Sequence, residues 1–176
     1  MKLIVGLGNP GETYKNNRHN VGFMFIDYMV TLLHGYIVKK NKNYLAIQPS
    51  NHVSFILTKP LAFMNLSGQA VKILIKNLKL KIKNLVVVHD DLDIPLGKFK
   101  IQKGIGPRLH NGIESIEKSL ETKDFWRVRI GVDNRDPKHW VGGETYVLQE
   151  FGTKEKKILQ EIFPKIYKRL KITFDF

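Results

Sequence analysis

Two short runs hold the residues best equipped for acid–base chemistry, Arg18-His19-Asn20 and His89-Asp90-Asp91. A histidine titrates near neutrality and can take a proton from water. An aspartate on its other ring nitrogen fixes the tautomer and stabilises the imidazolium that forms. His19 follows the turn after a first strand and Asp90 ends a central one, so in a parallel sheet both would open on the same edge. The competing structural reading has His19 capping the next helix and Asp90 and Asp91 as solvated loop charges. On spacing alone that second reading outweighs the pair.

Three further segments carry polar groups beside flexible or apolar backbone. Gly6-Leu7-Gly8-Asn9-Pro10-Gly11 spells a dinucleotide-binding loop, but Pro10 adjoins the third glycine and Glu12 to Asn20 shows no helical periodicity. The turn serves better to present Asn9 at the C-terminal end of a strand. Phe63-Met64-Asn65 could offer a stacking platform next to an amide; equally, Phe63 and Met64 could be core, with Asn65 or Ser67 capping a helix. Asn111, after a glycine-containing loop, could grip a polar ligand or simply cap a helix. His89, Asp90, Asp91 and Asp93 are metal-type ligands, yet alternate strand residues point to opposite faces and no second histidine motif completes a shell. Ser67 lacks the glycine two residues before it that a nucleophile elbow requires. Water activated by a base is favoured over covalent catalysis.

The elements that must position these groups follow from periodicity. Strands are expected at Lys2–Leu7, Leu85–Val88, Lys98–Gln102 and Trp126–Val132, with a short one at Thr145–Leu148. Asn43–Gln48 and His52–Thr58 read as a hairpin around Pro49-Ser50-Asn51. Helices are expected at Val21–Leu33, Asn65–Leu80 and Asn111–Leu120, and at Lys154–Leu170 with an interruption at Pro164. This alternation predicts an α/β fold, a single layered domain over residues 1–176. Its sheet is mixed but mostly parallel and twisted, with helices on both faces.

Composition narrows the chemistry further. The 176 residues contain no cysteine, which excludes disulfides, thiolate nucleophiles and cysteine-based zinc sites. Twenty-nine Lys and Arg against 16 Asp and Glu give a net charge of +13. Such a surface attracts polyanions, nucleic acid first among them; a lysine- and isoleucine-rich coding bias would leave the same mark. The N-terminal apolar run is too short for a signal peptide, and no stretch is long enough to span a bilayer, so a cytoplasmic protein is expected.

Taken together, the segments resemble bacterial peptidyl-tRNA hydrolase. The matching text is Val5–Gly11, Tyr14, Arg18-His19-Asn20 with Gly22, Lys59-Pro60 with Phe63–Gly68, and His89–Asp93 with Pro95 and Gly97. His110-Asn111-Gly112, Arg127–Gly131 and Tyr146–Leu148 complete it, in order along nearly the whole chain. The resemblance implies hydrolysis of the ester between a peptide and the 3′ end of tRNA, by a monomer without cofactor, metal, membrane attachment or obligate protein partner. A non-catalytic RNA-binding protein on the same scaffold is the alternative. The resemblance makes His19 the base, Asp90 its orienting partner and Asn9 the group that senses an N-blocked aminoacyl moiety. It places Tyr14, Phe63, Asn65 and Asn111 around the peptide and acceptor end, and Met64 against the histidine. Arg129 would hold a terminal tRNA phosphate; the usual lysine partner aligns with Gln102, and Lys100 and Lys103 lie nearby. The loop Gly104-Ile105-Gly106-Pro107-Arg108-Leu109 is less glycine-rich than the family's, so a stiffer and more crowded approach to Asn111 is expected.

Overall fold

The computed structural model describes residues 1–50 and 54–175. Its strands are β1 (Lys2–Gly6), β2 (Tyr36–Lys40), β3 (Tyr44–Pro49), β4 (Phe55–Pro60), β5 (Leu85–Pro95), β6 (Phe99–Lys103) and β7 (Trp126–Asp133). They form one sheet in the order β2-β3-β4-β1-β5-β7-β6. The four middle strands are parallel, while β2, β3 and β6 add antiparallel edges. This is the mixed α/β sheet expected. β1 and the first half of β5 are nearly continuous apolar runs because both faces are covered.

Alternate residues divide between two cores. Ile4, Val86, Val88, Val128 and Ile130 face α1 (Val21–Thr31) and α5 (Thr153–Phe174). Leu3, Val5, Leu85 and Val87 face α2 (Ser67–Asn77) and α3 (Asn111–Leu120). Gly22 lets α1 touch the strand ends: a Cβ there would come within 2.4 Å of the Val88 carbonyl oxygen and 2.5 Å of the Leu7 nitrogen. The Leu7 N–H meets that same Val88 carbonyl at 2.9 Å. The turn carrying Asn9 and His19 is therefore seated directly on β5 at Val88, where β1 ends.

Two expected features are corrected. Residues 145–148 are not a strand; they lie in and just after a short helix, α4 (Gly143–Val147). Tyr146 and Val147 are both buried, which consecutive residues of a helical turn allow and a strand with one wet face does not. Nor does Pro164 interrupt the last helix, since α5 runs through it for 22 residues. The ring lies on the exposed side, where water can bond the carbonyl that proline leaves without its N–H partner.

Smaller differences follow from tertiary packing. The expected 65–80 helix begins as a 3₁₀ turn at Met64–Leu66 and ends at Asn77. β2 was unforeseen; Tyr36, Ile37 and Val38 stay exposed, so pairing with β3 rather than burial makes it a strand. β3 and β4 do pair antiparallel. Asn51 of the expected turn, and His52 and Val53 of the expected second strand, lie outside the described residues.

Candidate active site

Asp90 lies within β5, two residues past the point where β1 ends, and gathers two imidazoles. His19 Nδ1 lies 2.9 and 3.0 Å from its two carboxylate oxygens, and His110 Nε2 lies 2.9 Å from Oδ1. The backbone settles one tautomer. His110 is the N-cap of α3, and its Nδ1 accepts the N–H groups of Gly112 and Ile113 at 3.0 and 3.3 Å. Its proton therefore sits on Nε2 and is donated to Asp90. His19 donates its Nδ1–H to the same carboxylate, which leaves Nε2 as the ring nitrogen free to accept a proton.

Electrostatics agree with that arrangement. Burial disfavours the charged form of His19, but the Asp90 charge and hydrogen bond outweigh it and hold the pKa above its ordinary value. Burial likewise works to raise Asp90, yet the two imidazoles hold its carboxyl well below the usual carboxylate range. His89, wholly buried and edge-on to His110, is driven far down by burial first and His110 second. Its Nδ1 meets the Asp90 carbonyl at 2.7 Å, and its Nε2 has no partner.

The Arg18-His19-Asn20 turn is fixed on three sides. Arg18 donates to the buried Glu155 carboxylate of α5 at 2.8 Å and stacks 4.0 Å from the Tyr146 ring. Asn20 brackets Asn9, accepting its N–H and donating to its carbonyl, both at 2.9 Å. The Asn9 side-chain oxygen then accepts the Met64 N–H at 2.8 Å. With Oδ1 occupied, Asn9 presents its NH₂ as the available donor.

These groups open into a cleft of about 880 Å³. Asn9, His19, Asp90, Phe63, Met64, Asn65 and Asn111 all line it. Met64 is buried, and a Cβ on Gly112 would come within 2.5 Å of its sulfur. Asn65 and Asn111 are exposed at the rim, and neither they nor Ser67 caps a helix. Tyr14 stands behind Phe63, rings edge-on at 6.2 Å. Arg129 lies outside the cleft. It is buried, donating to Asp91 at 2.7 Å and to Gln102 at 2.9 Å.

Sequence reasoning missed His110 as a partner of Asp90. The signal was present in His110-Asn111-Gly112, where the histidine takes the N-cap place expected of the asparagine. His19, Asp90 and His110 also form the one grouping among the described residues with metal-ligand atoms close together, within 4.8 Å. Those same atoms satisfy one another through two N–H···O bonds, so the trio is complete as a hydrogen-bonded unit. Among the described residues no Arg or Lys lines the cleft, whose carboxylates are Asp90, Glu114 and Glu144.

Comparison with known proteins points one way. Residues 3–175 match the family described as Peptidyl-tRNA hydrolase. A relative named peptidyl-tRNA hydrolase from Lawsonia intracellularis is 39% identical over 170 residues, 96% of this chain and 84% of its own. One of the same name from Thermodesulfovibrio yellowstonii is 42% identical over 163 residues, 92% of this chain and 86% of its own. The crystal structure of peptidyl-tRNA hydrolase from Acinetobacter baumannii superposes with a TM-score of 0.85 at 28% identity, covering 98% of this chain and 87% of that one.

Proposed function

From the chain's membership of the peptidyl-tRNA hydrolase family, we propose that it hydrolyses the ester joining a peptide to the 3′-terminal ribose of tRNA, with His19 as general base. The observation that supports this reading most is the His19–Asp90 contact at 2.9 Å, with the free Nε2 in an open cleft. Water on Nε2 gives up a proton as its oxygen attacks the ester carbonyl. The NH₂ of Asn9, and Asn65 at the rim, are positioned to steady the oxyanion. The intermediate collapses by releasing the ribose oxygen, which takes the proton back from His19. Asp90 stays charged throughout and stabilises the transient imidazolium.

The protein acts on tRNA from solution, as a cytoplasmic monomer. No helix among the described residues is long and apolar enough to cross a membrane. Lys154, Lys157, Lys165, Lys168 and Arg169 on the exposed side of α5 have no ion-pair partner among the described residues, which suits a phosphodiester backbone. Arg129, expected to hold a terminal phosphate, would first have to leave Asp91 and Gln102. The intact His19–Asp90–His110 trio favours hydrolysis over a purely RNA-binding role.

The test is turnover of N-acetyl-aminoacyl-tRNA against the unblocked aminoacyl-tRNA. Rapid release of the acetylated amino acid, with the free-amine substrate spared, is expected. His19→Ala should lower kcat by roughly 10²–10⁴-fold while tRNA binding persists. A parent protein that binds tRNA but leaves the blocked ester intact refutes the hydrolase reading.

A further inference from the structure

We propose that Leu109 closes an apolar subsite in the cleft and makes the enzyme prefer peptides whose residue before the esterified one has an apolar side chain. The proposal rests on the hydrolase reading. Single exposed apolar residues are ordinary on a protein surface, but a concentration of them in one place marks a binding region. Phe63, Leu66, Leu109 and Leu148 are all exposed and all line this cleft, beside Leu92 and Val147. Leu109, at 83%, is the most exposed large apolar residue among those described.

Its position is held from both sides. Gly104 N–H donates to the Phe125 carbonyl at 3.1 Å, and the Arg127 guanidinium donates to the Gly106 carbonyl. Gly106, with φ of 62°, lies flat on the Arg129 guanidinium; a Cβ there would meet its carbon at 2.3 Å. Arg108 N–H donates to Asp93 at 2.9 Å. On the other side His110 is fixed to Asp90 and α3. A leucine mounted on a backbone tied this way projects at a defined place on the rim.

Charge identifies the occupant. In a chain of net charge +13, the cleft offers no lysine or arginine, and its carboxylates are Asp90, Glu114 and Glu144. That lining suits a peptide, while the phosphodiester backbone beyond the terminal ribose falls to the basic surface of the chain. With the ester carbonyl at His19, the esterified residue occupies the buried end beside Asn9. The residue before it reaches the rim, where Leu109, Leu92 and Leu148 can remove its side chain from water.

The measurement compares N-acetyl-leucyl-lysyl-tRNA with N-acetyl-glycyl-lysyl-tRNA, using one tRNA throughout. N-acetyl-lysyl-tRNA serves as the reference ester. The parent should favour the leucyl substrate about tenfold or more in kcat/KM, the discrimination expected of a side chain in an apolar pocket. Leu109→Asn and Leu109→Gly should each bring the ratio towards one, with thermal melts confirming that both fold. A parent ratio near one, or an unchanged ratio in both variants, overturns the subsite while leaving the hydrolase reading intact. If the parent cleaves none of the three, including the reference, the hydrolase reading falls and takes the subsite with it.

Discussion

Replacing Asp90 with asparagine tests the site most sharply because it changes almost nothing but charge and one donor–acceptor position. The amide occupies the carboxylate's volume, so the core around β5 stays filled. His110 donates Nε2–H to Oδ1, and its tautomer is locked by two backbone N–H groups on Nδ1. The amide oxygen must therefore take the Oδ1 position. That leaves the NH₂ where Oδ2 was, 3.0 Å from His19 Nδ1. His19 Nδ1–H then shares the remaining oxygen, 2.9 Å away, with His110 and meets a like donor at 3.0 Å, and the imidazole relieves the conflict by moving its proton to Nε2. A protonated Nε2 cannot accept a proton from water. The loss should approach the whole contribution of a positioned base, roughly 10²–10⁴-fold in kcat, or about 3–5 kcal/mol at 1.36 kcal/mol per tenfold. KM should move by less than about threefold, since the carboxylate contacts imidazoles rather than substrate. The assay is steady-state release of N-acetyl-amino acid from tRNA, with melting followed in parallel. An Asp90→Asn protein retaining kcat within about threefold of the parent would refute the tautomer argument.

Four other outcomes follow from contacts already described. His19 is held above its ordinary value of 6.5, so kcat/KM should climb with pH through a half-rise above 6.5; a half-rise at or below that value contradicts the Asp90 assignment. The sign for stability is opposite. A raised folded-state pKa contributes stability fully below the unfolded value and loses it as pH rises through the folded one, so a pH series of melts should decline where activity grows. Gly22→Ala forces a Cβ to 2.4 Å from the Val88 carbonyl and should cost about 1–3 kcal/mol, visible as a Tm lowered by several degrees; an unchanged Tm would show that α1 can shift freely. Glu155→Ala leaves Arg18 buried without its carboxylate and should destabilise by about 3–5 kcal/mol in denaturant titrations, more than an exposed ion pair contributes.

The sheet and its helices were legible because their signals are local. Runs such as Leu85–Val88 and the 3.6-residue pattern of α3 need no partner to be recognised. Where tertiary context decided, the sequence misled. Thr145–Leu148 has the β-branched and aromatic residue types of a strand, but Tyr146 is drawn inward by its hydroxyl bond to the Val132 carbonyl, and the segment forms a helical turn. The chemistry was less readable still. His19 and Asp90 lie 71 residues apart, so strand order left the pair possible but outweighed, and resemblance to a family decided in its favour. His110 stayed hidden because neither paired it with Asp90. Arg129 took its phosphate-holding role from the resemblance, and its buried contact with Asp91 on the neighbouring strand leaves no mark in sequence.

The bond between Arg18 and Glu155 has a consequence in time as well as in space. It joins residues 137 positions apart, and it anchors the turn that carries His19. A chain growing at about 5–20 residues per second leaves Arg18 without its partner for roughly 7–27 s after the arginine is made. β1, β5 and α3 can all assemble in that interval, but the turn holding His19 is not secured until α5 arrives. Catalytic competence should therefore be among the last properties this chain acquires during synthesis.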